Sequence, residues 1–253
     1  MLAVERRKKI LEMLKENQSV LVTELGKLFN VTEETIRRDL EKLEKEGLLK
    51  RTYGGAVLHE STNLELPFNV RETTNAEGKK AIGLKVSEFI EDGDTIILDS
   101  SSTALQVAKN IKSKNGITVI TNSQKVILEL SSAEQIKVIS TGGTLRSTSM
   151  SLVGHLAEKT LQSYNVDKAV ISCAGASLIK GFTDSNELEA EVKKAMMSSA
   201  EKVILVIDNT KFDRVSFTRI ADFRNIDYIF TDKSLSFEWE KELEERKIEL
   251  VYC

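Results

Sequence analysis

Two consecutive arginines on one predicted helix are the residues best placed in this chain to contact a polyanion. Arg37 and Arg38 lie in a segment whose apolar residues Ile36, Leu40 and Leu43 recur at spacings of four and three. These apolar side chains share one buried face, and at about 100° per residue Arg38 points away from it. We therefore expect the arginines to reach phosphates and base edges in a DNA groove. The alternative is a small helical bundle with solvated arginines.

The ends of this helix are marked by capping residues. Thr32 is expected at the N-cap, where its hydroxyl accepts from an otherwise unpaired backbone N–H. Glu33 and Glu34 follow in the first turn, where the helix dipole favours negative charge. Gly47 is expected to end the helix in a left-handed cap. Between residues 32 and 47 the sequence therefore predicts one short, self-contained helix.

The neighbouring segments complete a known motif. Residues 5–17 and 22–30 predict two further helices, the second capped by Thr23. Residues 48–58 predict two strands that meet at Gly54-Gly55, which is a hairpin. Three helices and a hairpin make a winged helix-turn-helix, whose third helix enters the major groove. The sequence therefore predicts an N-terminal DNA-binding domain over residues 1–58.

Length and charge agree with a two-domain regulator. The chain has 253 residues, which is typical of about two domains. Residues 1–58 carry 12 Lys and Arg against 10 Asp and Glu, whereas the remainder carries 24 against 29. The N-terminal part is thus basic within an acidic chain, and its DNA affinity should depend on salt. No apolar run is long enough to span a membrane and no signal peptide is visible, so a cytoplasmic location is expected.

The cysteines and histidines do not form a metal-binding pattern. Cys173 lies in an apolar run, which predicts a buried thiol, and Cys253 is far from it in the sequence. His59 and His155 lack acidic or cysteine neighbours at ligand spacing. We expect neither a metal site nor a cofactor.

The rest of the chain alternates between helices and apolar strands. Residues 59–75 include the only proline, Pro67, and predict a linker, followed by a second domain over 76–253. Strands are predicted at 95–99, 117–122, 136–143, 168–176, 202–210, 227–232 and 248–253. Helices are predicted at 78–92, 103–112, 123–132, 151–163, 186–201 and 236–246. Continuous Val and Ile strands between helices are typical of an α/β fold with a mostly parallel sheet.

Small polar residues follow several of these strands. In open α/β sheets, ligands bind beyond the carboxyl ends of the strands. Hydroxyls, backbone N–H groups at glycines and a helix N-terminus are the donors that a phosphate needs. Lys211 and Arg146 could neutralise its charge, and Asp99 could accept from sugar hydroxyls. The alternative is that these are ordinary turn residues, but their repetition at one sheet edge favours a ligand site.

The N-terminal segment resembles a family of regulators. Residues 6–57 resemble the N-terminal domain of DeoR-type bacterial repressors. The resemblance rests on Arg6, Ile10, the segment TEETIRRDL at 32–40, Leu43 and the wing residues Arg51 and 54–56. The family usually has Val-His before the two glycines, where this chain has Thr52-Tyr53, and a tyrosine can still donate to a phosphate. The predicted DNA contacts are Thr23, Thr32, Glu34, Thr35, Arg37, Arg38, Lys42, Arg51 and Tyr53.

The resemblance continues through the second domain. It rests on LDSSSTALQVA at 98–108, TNS at 121–123, GGTLRSTSMSLVG at 142–154, GFTDSNELEAEVKKAMMSSA at 181–200 and DNTKF at 208–212. It implies a fold similar to ribose-5-phosphate isomerases and CoA transferases, a phosphorylated sugar or polyol effector, and a homo-oligomer, either a dimer or a tetramer. The predicted effector-binding residues are Asp99, Ser100, Ser101, Ser102, Thr103, Thr121, Asn122, Gly142, Gly143, Arg146, Gly175 and Lys211.

Two alternatives to a ligand-controlled repressor remain open. An isomerase-type enzyme would need a general base. The stretch after the fourth strand, 173–181, contains no carboxylate, although Asp99, Asp208 and Lys211 are possible acid–base groups. An interaction module without DNA would need the pattern at 32–56 to be accidental. The charged residues Glu187, Glu189, Glu191, Lys193 and Lys194 most simply form a solvated, ion-paired helix face.

Overall fold

A computed structural model describes residues 2–17, 19–45, 48–58 and 65–253. The chain divides into two compact units, Met1–Leu66 and Pro67–Cys253. The helix end expected at Gly47, the histidine His59 and the first part of the predicted linker, 59–64, lie outside the described residues. None of the described helices is both long enough and apolar enough to cross a membrane.

The N-terminal unit has the predicted three helices and hairpin. Its elements are α1 (Ala3–Asn17), β1 (Ser19–Leu21), α2 (Val22–Phe29), α3 (Glu33–Lys45), β2 (Leu49–Thr52) and β3 (Gly55–Leu58). The strand β1 is an addition to the prediction. It pairs antiparallel with β3, and β3 pairs antiparallel with β2, so the hairpin is a three-stranded sheet. The winged helix-turn-helix is thereby confirmed.

The predicted apolar face of α3 forms the core of this unit. Ile36, Leu40 and Leu43 are buried, as are Ile10 and Leu14 of α1, all at 2% exposure or less. Their burial stabilises the unit by roughly 1.5–3 kcal/mol for each side chain. The spacing of apolar residues thus fixes which side of α3 faces inward and leaves the arginines outside.

Two glycines shape the hairpin. Gly54 adopts φ +90°, a conformation that L side chains rarely adopt, and so allows the tight turn. A Cβ on Gly55 would lie 2.1 Å from the carbonyl oxygen of Val20, because β1 passes close to it. The hairpin predicted at these glycines is confirmed, and the third strand explains why the second position has no side chain.

The helix caps follow the prediction at one site and differ at another. The Thr32 hydroxyl accepts from the backbone N–H of Thr35 at 3.3 Å, as expected of a cap. Thr23 does not cap α2, which begins at Val22 without a side-chain cap. The N–H of Val22 instead donates to the carbonyl of Gly54 in the wing. The predicted cap at Thr23 is therefore wrong, because the strand β1 runs directly into the helix.

The larger unit is built on a seven-stranded parallel sheet. Its helices are α4 (Phe68–Thr73), α5 (Ala76–Glu88), α6 (Ser102–Asn110), α7 (Gln124–Leu130), α8 (His155–Leu161), α9 (Glu187–Ser198) and α10 (Phe237–Glu245). Its strands are β4 (Thr95–Leu98), β5 (Thr118–Thr121), β6 (Lys137–Ser140), β7 (Thr144–Arg146), β8 (Ser151–Val153), β9 (Val166–Ile171), β10 (Gly175–Ser177), β11 (Gly181–Asp184), β12 (Ala200–Val206), β13 (Thr218–Ala221), β14 (Tyr228–Thr231) and β15 (Glu249–Tyr252).

The sheet order places the polar loops at one edge. The main sheet runs β15-β14-β12-β9-β4-β5-β6, and every pair in it is parallel. Alternate residues of β4 enter different apolar clusters: Ile97 packs into one, and Ile96 and Leu98 pack into the other. The sheet is therefore covered on both faces, as continuous apolar strands predict. The α/β fold class is confirmed.

Smaller strands replace some predicted elements. Residues 151–153, predicted as the start of a helix, form β8, which pairs antiparallel with β7. Gly154 at φ +92° then turns the chain into α8. The strand predicted at 168–176 ends at Ile171, and 175–177 belong to a separate sheet of order β10-β11-β13. These strands have only three or four residues each, which is too short for local periodicity to identify them, and β11 pairs in addition with the distant strand β13.

The second half of the predicted linker is structured. Residues 67–75 belong to the larger unit, where Pro67 precedes α4 and Phe68 is only 2% exposed. Phe68 packs into the apolar cluster that covers one sheet face, and its N–H donates to the carbonyl of Thr148. The structure thus differs from a linker reaching residue 75, because one aromatic side chain anchors this segment.

Candidate DNA interface and effector site

The solvent-facing side of α3 carries both predicted arginines. The Arg37 and Arg38 side chains are 54% and 77% exposed. Arg37 donates to Glu33 at 2.7 Å and Arg38 to Glu34 at 3.2 Å, each across one helical turn. Such exposed pairs contribute little to stability. The arginines are therefore available to a duplex, provided that phosphates replace these carboxylates.

Several other predicted DNA contacts share the exposed surface of this unit. Thr23, Thr32, Glu34 and Lys42 are exposed, and Thr35 is half-buried and hydrogen-bonds through its hydroxyl to Thr32. The described side chains around α3 therefore offer hydroxyls as well as guanidinium groups. Hydroxyls serve phosphate contacts, whereas bidentate guanidinium groups recognise base edges.

A buried ion pair fixes α3 against α1. Arg6 Nε lies 2.5 Å from Asp39 Oδ2, and both side chains are at least nine-tenths buried. Arg7 approaches the other oxygen of Asp39 at 3.4 Å. Asp39 is on the inward side of the helix whose opposite side carries Arg38. The pair therefore holds α3 in the orientation in which its arginines point outward.

The wing is attached to α3 by a second arginine. Glu44 accepts both from the backbone N–H of Arg51 at 2.9 Å and from its side chain at 2.7 Å. These bonds hold the pKa of the Glu44 carboxyl below its usual value. Tyr53 at the hairpin turn is fully exposed. Arg51, predicted as a DNA contact, thus also positions the wing beside the recognition helix.

In the larger unit, the predicted effector-binding residues 100–103, which we call the phosphate loop, lie at the N-terminus of α6. The Ser101 hydroxyl accepts from the N–H of Ala104 at 3.0 Å and caps the helix. The first N–H groups of a helix have no intrahelical acceptor, so those of Ser102 and Thr103 need acceptors from outside the helix. The Ser100 hydroxyl donates to Glu189 and that of Ser102 to the carbonyl of Arg71. The structure therefore brings Ser100, Ser101, Ser102 and Thr103 together as predicted.

Asp99 faces the protein interior. It is completely buried and accepts from the N–H groups of Ser101 at 2.9 Å and Ser172 at 2.8 Å. Lys193 lies 3.4 Å from the same carboxylate and 2.6 Å from Asp184. The expectation that Asp99 accepts from sugar hydroxyls is corrected: its oxygens tie β4 to β9 and α9.

A second buried carboxylate organises the neighbouring hairpin. Glu189 accepts from Arg146 at 2.9 Å, from Ser149 at 2.6 Å and from the hydroxyl of Ser151. It also accepts from Ser100 at 3.2 Å, which connects β7 and β8 to the phosphate loop. Arg146, expected to neutralise a ligand, thus has Glu189 as a protein partner. The interpretation of Glu189 and Lys193 as a solvated face is wrong, because both are buried.

The next strand end contains an unsatisfied acceptor. The Asn122 side chain is 1% exposed and its amide donates to the carbonyl of Leu152 at 3.1 Å. Its Oδ1 has no hydrogen-bond partner among the described residues. A buried acceptor without a donor costs about 1–3 kcal/mol, so this atom is suited to a ligand hydroxyl. Thr121 beside it is fully engaged, donating to Leu98 and accepting from Ser123.

Lys211 and Asp208 lie in one turn beyond β12, where the backbone N–H of Lys211 donates to the Asp208 carbonyl at 3.0 Å. Burial lowers the pKa of Lys211, Asp208 opposes this shift and Arg71 adds to it. Burial would raise the pKa of Asp208, but Lys211, the Thr210 hydroxyl and Lys79 outweigh it and hold the carboxyl below its usual range. The loop of Lys211 lies beside the end of α4, since the Asn75 amide donates to Asn209 Oδ1 at 3.5 Å, and Arg71 of α4 carries the carbonyl to which Ser102 donates. Lys211 therefore belongs to the same region as the phosphate loop.

The predicted glycines have different environments. Gly142 and Gly143 adopt φ +67° and +111° in an exposed turn between β6 and β7, where a Cβ on Gly143 would lie 2.6 Å from the carbonyl of Val153. Gly175 lies in β10, and a Cβ there would lie 2.7 Å from the carbonyl of Arg214. Gly142 and Gly143 therefore remain candidates for the ligand site at the sheet edge. At Gly175, the close approach of the Arg214 backbone is enough to explain why the residue is a glycine.

The thiol of Cys173 is buried, as predicted, at 5% exposure. Desolvation raises its pKa to about 12, so the thiol stays protonated at neutral pH.

Three buried charges escaped the sequence analysis, and helix periodicity would have found them. Lys79 stands three and seven residues before Ile82 and Val86, which places it on the inward face of α5. Glu189 and Lys193 align in the same way with the buried Met196 on α9. A charge at a core position of an amphipathic helix indicates a buried pair rather than a solvated one.

The two units define a class of protein: a DNA-binding regulator whose second domain is an α/β sensor. The DeoR-like helix-turn-helix domain model matches residues 6–62 and the DeoR C-terminal sensor domain model matches residues 74–233. The chain belongs to the DeoR family of transcriptional regulators. The resemblance predicted from the sequence is thereby confirmed.

Full-length relatives support this assignment. The chain is 44% identical over 251 residues to the HTH-type transcriptional regulator YulB of Bacillus subtilis, covering 99% of this chain and 97% of the relative. It is 36% identical to the L-fucose operon activator of Haemophilus influenzae, covering 96% and 97%. It is 34% identical to the transcriptional repressor AccR of Agrobacterium fabrum, covering 90% and 89%. Relatives of this chain thus include both a repressor and an activator.

A solved structure of ribose 5-phosphate isomerase A from Methanocaldococcus jannaschii also matches part of the chain. The match covers 55% of each chain at 15% identity, with a TM-score of 0.41.

Proposed function

We propose that this regulator represses a sugar or polyol catabolic operon and that a phosphorylated sugar, bound at the carboxyl edge of the main sheet, controls its affinity for operator DNA. The observation that carries the proposal is the N-terminus of α6. Three serines and the first N–H groups of the helix lie there, and the loop of Lys211 lies beside α4, whose Arg71 carbonyl accepts from Ser102. Helix N-termini with hydroxyls and a nearby cation are built to bind phosphate.

The proposed site also accounts for the sugar. Asn122 follows β5, the strand next to β4, and its buried Oδ1 needs a donor. A sugar or polyol hydroxyl is a donor of suitable size, and the adjacent position places it near the phosphoryl group at α6. The phosphate loop and Asn122 thus support the two halves of one ligand.

The protein partners of two buried carboxylates, Asp99 and Glu189, support a regulatory rather than a catalytic role. Asp99 is occupied by two N–H groups and Lys193, and Glu189 by Arg146 and hydroxyls. A general base must lie within reach of a substrate proton, and these buried groups are committed to the fold. We propose that the sensor domain binds its ligand without turnover, in a cytoplasmic homo-oligomer whose symmetry sets the spacing of operator half-sites.

Fluorescence anisotropy tests this function directly. The full-length protein is titrated onto the duplex upstream of its own gene at fixed salt, with phosphorylated sugars and with the same sugars lacking the phosphate. We expect one phosphorylated compound to weaken DNA binding while its unphosphorylated counterpart has no effect. Specific DNA binding that no phosphorylated compound changes would exclude the effector, and a compound that strengthens binding would exclude repression relieved by ligand.

A further inference from the structure

The helix α4 covers the N-terminus of α6. Its Arg71 carbonyl accepts from the Ser102 hydroxyl at 3.3 Å, and its Glu72 lies 3.8 Å from Lys109 of α6. Phe68 anchors the start of α4 in the core. Ser102 is consequently 4% exposed. The place where a phosphoryl group would bind is therefore closed by the first helix that follows the DNA-binding unit in the chain.

Lys79 holds the other end of this cover. Its ammonium donates to the carbonyls of Arg71 and, at 2.8 Å, of Thr74, and the residue is only 4% exposed. Carbonyls in the last turn of a helix lack intrahelical donors, so Lys79 serves as a cationic cap for α4. The Asn75 amide, just after α4, donates to Asn209 Oδ1 at 3.5 Å, so this end of the cover lies next to the loop of Lys211.

A bound phosphate would draw on the same donors. The Ser102 hydroxyl has a single proton to donate. A phosphoryl oxygen is a charged acceptor and forms stronger hydrogen bonds than a neutral carbonyl. The ammonium of Lys79, which donates to two neutral carbonyls, would likewise form stronger hydrogen bonds with a phosphoryl oxygen. Ligand binding and the docking of α4 over α6 therefore depend on the same two groups, the Ser102 hydroxyl and the Lys79 ammonium.

We propose that the effector phosphoryl group competes with the Arg71 carbonyl for Ser102 and Lys79, so that occupancy of the sensor site releases the C-terminal end of α4. The inference rests on the proposed function, because it assumes that a phosphoryl group binds at α6. It adds the route by which binding is transmitted. α4 begins at Phe68, just after the boundary between the two units at Leu66 and Pro67.

The coupling works in both directions. If the ligand loosens α4, then any state of the protein that holds α4 docked weakens ligand binding by the same factor. DNA-bound protein would favour the docked state, and the ligand would favour the released one. Lys79 is thus a positioning residue: its charge holds α4 in the docked state until the ligand binds.

Hydrogen–deuterium exchange of the full chain separates the two proposals. The probe is inorganic phosphate, compared with chloride at equal ionic strength. We expect slower exchange in peptides covering 100–106 and several-fold faster exchange in peptides covering 68–75. Absence of protection at 100–106 would overturn the phosphate site itself. Protection there without faster exchange at 68–75 would overturn only the coupling through α4.

A matched pair of variants tests Lys79. Lys79→Gln keeps an amide that donates to the two carbonyls but removes the charge. We expect phosphate still to protect 100–106, with a markedly smaller response at 68–75. Lys80→Gln is the control, since Lys80 is exposed and pairs with Glu77. A wild-type response in Lys79→Gln, or an equal loss in both variants, would remove Lys79 from the mechanism.

Discussion

Lys193 and Asp184 form a buried ion pair, 2.6 Å from Nζ to Oδ2, that joins α9 to the end of β11. The same ammonium donates to the Ser172 carbonyl at 2.7 Å and faces Asp99 at 3.4 Å. Burial alone would lower the pKa of Lys193, but the two carboxylates outweigh it and hold the pKa above its ordinary value. The lysine is therefore charged throughout the accessible pH range and neutralises the interior beneath the phosphate loop.

Replacing this lysine should destabilise the larger unit. Lys193→Met leaves the carboxylates of Asp184 and Asp99 buried without their cation, which costs roughly 3–5 kcal/mol. Lys194→Met is the matched control, because Lys194 is exposed beside Glu191 and should change stability by less than about 1 kcal/mol. Urea unfolding followed by tryptophan fluorescence measures both. Equal stability of the two variants would show that the buried pair contributes nothing.

The arginines of the recognition helix should be needed for DNA and for nothing else. Arg37→Ala and Arg38→Ala should abolish specific DNA binding while phosphate binding by the sensor domain is unchanged. Where residual binding is measurable, each lost phosphate contact should reduce the slope of log affinity against log salt concentration by about 1. Arg224→Ala, which removes an exposed arginine from the larger unit, should have no effect. Loss of phosphate binding together with DNA binding would argue against separable functions.

The buried pair beneath the recognition helix gives a different prediction. Asp39→Ala leaves Arg6 buried without a partner, at a cost of roughly 3–5 kcal/mol. DNA binding should therefore be lost, and amides of α3 should exchange faster, although no DNA-facing side chain has changed. The exposed Glu12→Ala on α1 is the control. Retention of DNA affinity in Asp39→Ala would mean that the pair does not orient α3.

The lowered pKa of Lys211 predicts how anion affinity depends on pH. Only the protonated amine attracts phosphate, and burial makes it lose its proton below the ordinary value of 10.5. Above about pH 8 phosphate no longer changes its own charge. Because bound phosphate favours the charged form, wild-type affinity for inorganic phosphate should fall as pH rises, and the fall should start below 10.5.

Isothermal titration calorimetry with inorganic phosphate at several pH values measures this, and Lys211→Met should show weaker binding with little pH dependence. Lys233→Met, at an exposed lysine, should behave as the wild type. In the DNA-binding assay, Lys211→Ala should remain on DNA when the effector is added. Normal release by that variant, or an unchanged pH profile, would place Lys211 outside the site.

The N-terminal unit was predictable because its signals are local. The spacing of Ile36, Leu40 and Leu43 determines the buried face, and the turn at Gly54 needs a conformation that glycine adopts freely. The strand β1 was missed because it has only three residues and depends on pairing with β3. Its partner lies more than thirty residues further along the chain, beyond the reach of any short pattern.

In the larger unit, the sheet was predictable and the charge network was not. Continuous apolar strands and intervening helices indicate a covered parallel sheet whatever the details of packing. Glu189 and Lys193 lie at core positions of α9, so the helix pattern predicts their burial, but it does not reveal their partners after β4 and on β7, β8 and β11. The same holds for Asp99, which stands at a ligand-binding position in sequence but is satisfied by Ser172 in space.

The pairs Arg37–Glu33 and Arg38–Glu34 have a consequence for how the protein finds its operator. Each pair is exposed and weak, so a phosphate can displace the carboxylate, but the displaced carboxylate still repels the DNA backbone. We therefore expect this repulsion to weaken attachment to random sequence, whereas a base pair that offers a bidentate contact to an arginine can compensate for it. A helix that carries its own competitors for phosphate should then stay more briefly at wrong sites and search the chromosome faster.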